Sequence, residues 1–542
     1  MNWKNINYNL RFFILLACAA LVQIYLFNEK YIFHIDEILS LEQANSQNGL
    51  KLFLFASEID DKLLNGQFFW NYLHRSDNFT FIKMWENLKF DTHMPIYFAL
   101  LYFTSSFFLS EFSFIPGFII NILSLIVVLY SFYKLSKKVF RDNEIALTIT
   151  TLLAFLSPVL GLEIFIRMYL LQMACCLFLL LKIYYFLFIE TDNKNNTWLL
   201  LSILVSSIIT ILTHFYSIVF CFFVTISGAL ILYMQKKHSK NFIFCFIMLL
   251  SVLIAIFIYP EMIKVGTNGE RGSQFWGIIS NYSSDPLPLL KKQLQLFIKP
   301  LFGNYIFAFI SMLLFFIIIF IANKKNILDS STKQNIIFFN SIFFLYGISL
   351  ALVMPNMTNF QIRYFAPIIP IYVILMGYFI VYLLKIFNTK QMLIYIITWM
   401  IVFSNAFYEA THQDNPFYMR GNILNRKVDR LVKNADIWWA LGGGNQHSWI
   451  LQNYIHKLMY ADNIWTLVDR DNKEFKDFSD TEIKQKKYAY LFMPKTQEIQ
   501  PEGAIEWIKE NTGRTSYYLF TVKNEETASM TFEASVFLVC PY

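Results

Sequence analysis

The chain has 542 residues, of which 56% are hydrophobic, 18% aromatic and only 15% charged. A soluble protein carries about a quarter charged residues, so this composition excludes an ordinary soluble enzyme. The formal net charge of +7 comes mainly from loops between apolar segments, a distribution typical of membrane topology rather than of nucleic-acid binding. We therefore predict a polytopic α-helical membrane protein that does not bind nucleic acid.

Eleven apolar segments approach the length of about 20 residues that crosses a bilayer. In chain order they are Phe12–Phe27, Pro116–Phe132, Ala146–Leu162, Met168–Phe188, Leu199–Leu212, Tyr216–Met234, Phe242–Tyr259, Leu301–Ala322, Ile336–Val353, Phe365–Leu384 and Met392–Phe407. Lysines and arginines cluster in alternate loops, which the positive-inside rule places in the cytoplasm. The parity of the crossings then requires Pro95–Phe112 to be a re-entrant or interfacial element. A full crossing that violates the charge rule at one loop is the alternative.

The chain changes character near residue 408. Residues 1–408 form the predicted membrane domain, with a long first non-cytoplasmic loop over residues 28–94. Residues 409–542 contain an amphipathic stretch and apolar, strand-like runs, which predict a small α/β domain on the non-cytoplasmic side. The runs are Lys487–Met493, Tyr517–Val522 and Ser535–Cys540, and the amphipathic stretch is Gly503–Gly513. The six cysteines show neither a disulfide framework nor a metal-binding spacing.

Two adjacent acids, Asp36 and Glu37, follow the first apolar segment in "FHIDEILSLEQ" (Phe33–Gln43). A carboxylate near the middle of a bilayer costs on the order of 3 kcal/mol, so acids kept near that depth are usually functional. Repulsion between neighbouring carboxylates is expected to raise one pKa toward that of a working general base. Capping of a helix that begins at Ile38 is the structural alternative.

Four further motifs follow in order on the same predicted face. They are "DTHMPIYFALLYF" (Asp91–Phe103), "SPVLGLEIFIRMYLL" (Ser157–Leu171), "LTHFYSI" (Leu212–Ile218) and "RYFAPIIP" (Arg363–Pro370). Together with the acid pair, they resemble the GT-C class of polyprenyl-phosphate-sugar glycosyltransferases, in the branch of protein O-mannosyltransferases and aminoarabinose transferases. The resemblance covers the membrane domain and not the tail. One departure is Phe165, where related sequences often place a glutamate; the nearest acid here is Glu163.

The resemblance implies an inverting glycosyltransferase of the bacterial inner membrane, with its C-terminal domain in the periplasm. Such an enzyme moves a sugar from a polyprenyl-phosphate-linked donor to a lipid, glycan or protein acceptor on the outer side, amid membrane lipids. Asp36 matches the first acid of the family and is predicted to be the general base, with Glu37 positioning the acceptor or modulating Asp36. No cofactor and no metal ligand set are predicted, and a divalent metal is not assumed.

The leaving phosphate needs charge stabilisation, which cationic and hydroxyl side chains on the same face can provide. The predicted phosphate and donor contacts are His93, Arg167, Tyr169, His214, Arg363, Tyr364 and, in the Gly-rich stretch Thr267–Gly277, Arg271. Structural alternatives stay open: arginines that snorkel to the interface, a turn histidine bonded to backbone, and a solvated loop charge. A transporter or flippase for lipid-linked saccharides and a polysaccharide polymerase or ligase are the rival functions.

Overall fold

The computed structural model describes nineteen stretches of the chain. They are residues 7–30, 33–46, 63–74, 80–89, 93–108, 112–189, 196–263, 317, 319–325, 327–353, 362–387, 423–433, 436–442, 456–469, 489–494, 505–506, 509, 516–527 and 530–539, with 317 and 509 each standing alone. Arg271 and the Gly-rich stretch around it lie outside these ranges, so that predicted contact stays a prediction.

Fifteen α-helices are labelled over the described ranges. In chain order they are α1 (Tyr8–Glu29), α2 (Ile35–Asn45), α3 (Gly66–Leu73), α4 (Phe81–Leu88), α5 (Pro95–Ser105), α6 (Ile115–Phe140), α7 (Asn143–Ala154), α8 (Ser157–Ile164), α9 (Tyr169–Tyr184), α10 (Asn196–Ile211), α11 (Phe215–Met234), α12 (His238–Ile258), α13 (Ser330–Val353), α14 (Ile369–Phe387) and α15 (Ile423–Val432). A π-helical turn, Tyr185–Ile189, extends α9, and a 3-10 turn, Ile362–Phe365, precedes α14. Prolines in the first turn of α5, α6 and α8 help to start these helices, because proline needs no hydrogen-bond acceptor there.

Five described helices are long and apolar enough to cross a membrane: α1, α6, α9 with its π-helical turn, α11 and α12. The pair α7 and α8 adds a sixth if it is one span bent by 57°. The protein is therefore a polytopic helical membrane protein. The predicted span Met392–Phe407 lies wholly, and Leu301–Ala322 largely, outside the described residues, so the total of eleven crossings stays a prediction.

Helix α5 covers the segment whose crossing was in question. It has 11 residues, and at about 1.5 Å per residue it spans only about half of a hydrocarbon core. This length suits the predicted re-entrant or interfacial element, whose depth in a membrane stays a prediction. The backbone N–H of Ile96 donates to Leu212 O at 3.1 Å, which fixes the start of α5 beside the turn between α10 and α11.

The long helices run between two ends of the bundle. At one end, Arg11 Nη1 lies 2.6 Å from Glu144 Oε1, and Lys137 and Lys138 occupy the last turn of α6. At the other end, α1 finishes beside Lys30 while α9 and α11 begin. The predicted basic loops and the predicted site therefore occupy opposite ends of the protein.

A six-stranded sheet joins the tail to the first loop. Its strands are β1 (Leu63–Leu64), β2 (Asp436–Gly442), β3 (Asn463–Asp469), β4 (Ala489–Pro494), β5 (Ser516–Thr527) and β6 (Met530–Val539), in the spatial order β1-β3-β2-β4-β6-β5. Strands β4, β5 and β6 fall on the three predicted runs. Strand β1 comes from the first loop and pairs antiparallel with β3, so the tail packs on the membrane domain through this loop.

Gly66 makes this docking possible. Its N–H donates to Ala461 O at 3.1 Å, and a Cβ at this position would lie 2.3 Å from Met459 O. Only a glycine lets the two backbones approach so closely. The predicted amphipathic stretch Gly503–Gly513 lies largely outside the described residues.

Candidate functional site

The acid pair lies in the first turn of α2, which begins at Ile35 rather than at Ile38. His34 caps this helix: its Nδ1 accepts the Asp36 N–H at 3.1 Å, while Glu37 Oε2 accepts the His34 N–H at 2.7 Å. This reciprocal capping box fixes the direction of the Glu37 carboxylate and the backbone of the turn that carries Asp36. Burial lowers the pKa of His34 to about 3, so its imidazole is neutral and can accept the hydrogen bond.

Asp36 forms an ion pair with Arg363, whose Nη1 donates to Asp36 Oδ2. Burial opposes the ionisation of Asp36, but the guanidinium groups of Arg363 and Arg167 outweigh it and hold its pKa well below 3.8. The expectation of a raised pKa is therefore wrong for the residue predicted to be the base. The Asp36 side chain is 21% exposed, the more accessible of the two acids.

The Arg363 guanidinium lies among three aromatic rings. Its Cζ is 5.7 Å from the ring centroid of Phe165, 5.4 Å from that of Tyr169 and 5.2 Å from that of Tyr364. Such faces attract a cation electrostatically and hold it in place. The 3-10 turn that carries Arg363 is fixed by Tyr346, whose hydroxyl donates to Tyr364 O at 3.1 Å. Arg363 is only 8% exposed, which speaks against snorkelling.

Arg167 lies beside α2, the helix that carries Asp36, and is only 4% exposed. Its Nη1 donates to Ser40 Oγ at 2.7 Å, and its Nη2 lies 2.6 Å from His93 Nε2. A guanidinium only donates, so His93 accepts with Nε2 and carries its proton on Nδ1. Ser40 Oγ donates to Asp36 O at 2.8 Å. The structure thus brings Asp36, His93, Arg167 and Arg363 into one cluster.

Glu37 faces a different set of groups. Lys30 Nζ donates to its Oε1 at 2.5 Å, and the Ile166 N–H donates to the same oxygen at 2.7 Å. Its side chain is fully buried. Burial raises the pKa of Glu37, against the lowering effect of Lys30. The pair thus contains one raised pKa, as expected, but on Glu37 and through burial rather than through repulsion.

His214, Tyr169 and Tyr364 form an aromatic wall beside the cluster. His214 caps α11 by accepting the Tyr216 N–H with Nδ1 at 3.1 Å, as the turn-histidine alternative expected. Its ring centroid lies 5.2 Å from that of Tyr169, which in turn lies 5.7 Å from that of Tyr364. The predicted residues are therefore adjacent: His214 contacts Tyr169, and Tyr169 and Tyr364 contact Arg363.

Several residues of the site were missed from the sequence. Lys30 is a single lysine after the first apolar segment, and Ser40 lies one helical turn after Asp36, a spacing that shares a face. Tyr97 belongs to the motif Asp91–Phe103, four residues after His93. It is fully buried, and its hydroxyl has no hydrogen-bond partner among the residues that the structure describes.

Within the same ranges, no cluster of three His, Cys, Asp or Glu side chains suits a metal ion.

Glu163, the acid nearest to the departure from the family pattern, is fully buried. Its carboxylate oxygens have no hydrogen-bond partner within the described ranges. Its backbone carbonyl accepts Gln23 Nε2 at 2.9 Å and Asn121 Nδ2 at 3.0 Å. In the described ranges, Glu163 is thus bound through its backbone carbonyl, next to the turn before Arg167, and not through an ion pair with the cluster.

An apolar cavity of about 450 Å³ opens among α5, α6, α9 and α10. Side chains that line it include Phe103, Leu123, Val127, Leu171, Phe178 and Ile209. Two of its elements also carry the site: Leu171 follows Tyr169 by two residues on α9, and α5 begins just after His93. The apolar cavity and the charged cluster therefore share helix α9, which carries Tyr169 at its start and Leu171 and Phe178 in the cavity lining.

No family model and no curated protein sequence matches the chain. Among solved structures, it is similar to ArnT from Cupriavidus metallidurans bound to undecaprenyl phosphate, with 10% identity, 97% of each chain covered and a TM-score of 0.48. The apo state of that protein matches with the same identity and coverage and a TM-score of 0.49. The Archaeoglobus fulgidus oligosaccharyltransferase in complex with Zn and sulfate matches with 10% identity over 88% of this chain and 67% of that chain, at a TM-score of 0.38. At 10% identity and TM-scores below 0.5, these similarities do not identify a reaction or a substrate for this chain.

Proposed function

We propose that the protein is an inverting glycosyltransferase that takes a sugar from a polyprenyl-phosphate donor and passes it to an acceptor hydroxyl on the outer side of the membrane. The observation that carries this proposal is the placement of one partly exposed carboxylate, Asp36, against two buried guanidinium groups, those of Arg363 and Arg167. A base and a phosphate-binding pair are the two requirements of this reaction. The ordered motifs of the sequence support the same assignment.

In the proposed reaction, the acceptor oxygen attacks the anomeric carbon from the face opposite to the phosphate. The bond between the anomeric carbon and the phosphate oxygen breaks, and the phosphate leaves with the electron pair. The hydroxyl proton passes to Asp36, which is the accessible acid of the pair. The configuration at the anomeric carbon inverts because there is a single displacement.

The donor phosphate would bind between Arg363 and Arg167. Guanidinium groups bind phosphate oxygens through a planar fork of N–H donors, and they need not lose a proton to stabilise the leaving group. A phosphate on Arg363 would compete with Asp36 for Nη1. Loss of this partner would raise the basicity of Asp36 when the donor is present, which is when a base is needed.

The polyprenyl chain would lie in the apolar cavity among α5, α6, α9 and α10. Its lining is almost wholly apolar, with side chains such as Phe103, Leu171 and Phe178. Burial of a hydrocarbon chain there is favourable by about 25 cal/mol per Å². A lipid chain in this cavity would place its phosphate near Tyr169 and the cationic cluster.

The proposal is tested with Asp36→Asn, which keeps the size of the side chain but removes its charge. Membranes with matched amounts of wild-type and variant protein are supplied with a radiolabelled polyprenyl-phosphate sugar, and transfer to endogenous acceptors is measured. We expect a loss of about 10²–10⁴-fold, the usual contribution of a general base. Asp462→Asn, on an exposed residue of the tail, is the control. Full activity of the Asp36 variant would exclude this base, and lipid translocation without transfer by the wild type would favour the flippase.

A further inference from the structure

The turn between α8 and α9, residues Ile164–Arg167, is held by buried polar side chains from three other parts of the chain. We call Lys30, Glu37 and Asn121 the brace, because their side chains bind the backbone of this turn. Each is at most 6% exposed. The turn ends in Arg167, so whatever holds it also sets the position of a guanidinium in the cluster.

Lys30 and Glu37 bind the turn from the side of α2. Glu37 Oε1 accepts the Ile166 N–H at 2.7 Å, and Lys30 Nζ donates to Ile164 O at 2.9 Å. The two side chains also bind each other at 2.5 Å. The carboxylate therefore has three donors, counting the His34 N–H, and no exposed surface with which to meet a substrate.

Asn121 binds the turn from α6. Its Nδ2 donates to Glu163 O at 3.0 Å and to Phe165 O at 2.8 Å. The turn also packs tightly on this helix, since a Cβ on Gly117 would lie 2.0 Å from Ile166 Cγ2. An irregular stretch of backbone this deep in the protein needs such partners, because unpaired peptide groups are costly away from water.

The geometry points to Glu37 and Lys30 as positioning residues that act through Arg167, rather than as groups that touch the acceptor or the transferred proton. The turn they fix places Arg167 on Ser40 and His93, and places Phe165 against Arg363. This inference rests on the proposed function only in taking Arg167 as a phosphate ligand. It replaces the predicted role of Glu37 as a residue that positions the acceptor.

The test compares the binding of one probe, a short-chain polyprenyl monophosphate in detergent, with transfer kinetics. Glu37→Gln keeps the shape of the side chain but removes its charge and one acceptor oxygen. We expect the Kd of the probe and the donor KM to rise about tenfold, with the pH profile of kcat unchanged. Glu86→Gln is the matched control, because Glu86 forms an exposed pair with Lys83 at 3.4 Å.

A double-mutant cycle with Arg167→Ala identifies the route of the effect. If Glu37 acts through Arg167, the double variant binds the probe no more weakly than Arg167→Ala alone. The inference would be overturned if the losses of probe affinity in Glu37→Gln and Arg167→Ala were additive in the double variant. It would also be overturned if Glu37→Gln left the probe Kd unchanged but abolished the acid limb of kcat, since Glu37 would then take part in proton transfer directly.

If Glu37→Gln does not fold, as judged by its elution profile, Asn121→Ala repeats the test from α6. Failure of the wild type to bind the probe would instead refute the proposed function.

Discussion

Asp36 and Glu37 are consecutive residues of α2, but their carboxylates serve different regions of the protein. The Asp36 region consists of an ion pair with Arg363 beside three aromatic rings, and the Asp36 side chain is 21% exposed. The Glu37 region is closed, with a lysine and two backbone N–H groups around a fully buried carboxylate. The difference shows how one helical turn can present an acid to a substrate and use its neighbour to hold the surrounding structure.

Replacing the cation of each region, in two separate variants, tests this division most strongly. Arg363→Lys keeps the charge but loses the planar fork and its contact with three rings, so we expect transfer to fall by about 10²–10³-fold, as for loss of a leaving-group donor. Lys30→Arg in the Glu37 region should change transfer much less, provided that the protein folds. The measurement is kcat/KM for the donor, and equal losses in the two variants would contradict the division.

Disturbing the packing of the turn between α8 and α9 on α6 should give the next largest effect. Gly117→Ala places a Cβ only 2.0 Å from Ile166 Cγ2, and we expect a loss of about 1–3 kcal/mol in the free energy of unfolding. It should also raise the donor KM, because the turn must move. The control is Gly228→Ala, whose Cβ would meet the Phe244 ring at 2.7 Å, away from the site. Thermal unfolding and donor KM are measured for both; a KM change in the control alone would be evidence against the brace.

The outline of the site was predictable because the motifs end at helix boundaries on one face. The turn signatures at His93, Arg167, His214 and Arg363 mark where spans begin or end, and alternation of spans brings such ends together. Side-chain direction was not predictable. Asp36 and Glu37 differ by about 100° around the helix, and only the tertiary structure decides which of them meets Arg363, in the 3-10 turn before α14, and which meets Lys30.

The tail illustrates a second limit. Three strands were predicted from apolar runs, but β1 has only two residues and lies in a polar, aromatic loop that favours interfacial helices by composition. It forms because Gly66 allows the loop backbone to approach Met459 and Ala461. Such a pairing depends on the tertiary structure and leaves no periodic signal in the sequence.

The smallest expected effect is a shift in pH dependence that separates the two carboxylates. In the free protein, Arg363 and Arg167 hold the pKa of Asp36 well below 3.8 against the effect of burial, so Asp36 is ionised throughout the neutral range. The profile of kcat/KM, which reports the free enzyme, should therefore show no acid limb from Asp36 above its ordinary pKa. If the donor phosphate binds Arg363 as proposed, the pKa of Asp36 should rise, and the acid limb of kcat should lie at higher pH than that of kcat/KM. Arg363→Lys weakens the ion pair of the free protein, so it should narrow the pH difference between the acid limbs of kcat and kcat/KM.

One outcome would reverse the roles of the two acids. If both profiles show an acid limb that disappears in Glu37→Gln but persists in Asp36→Glu, the titrating group is the buried Glu37 and not Asp36.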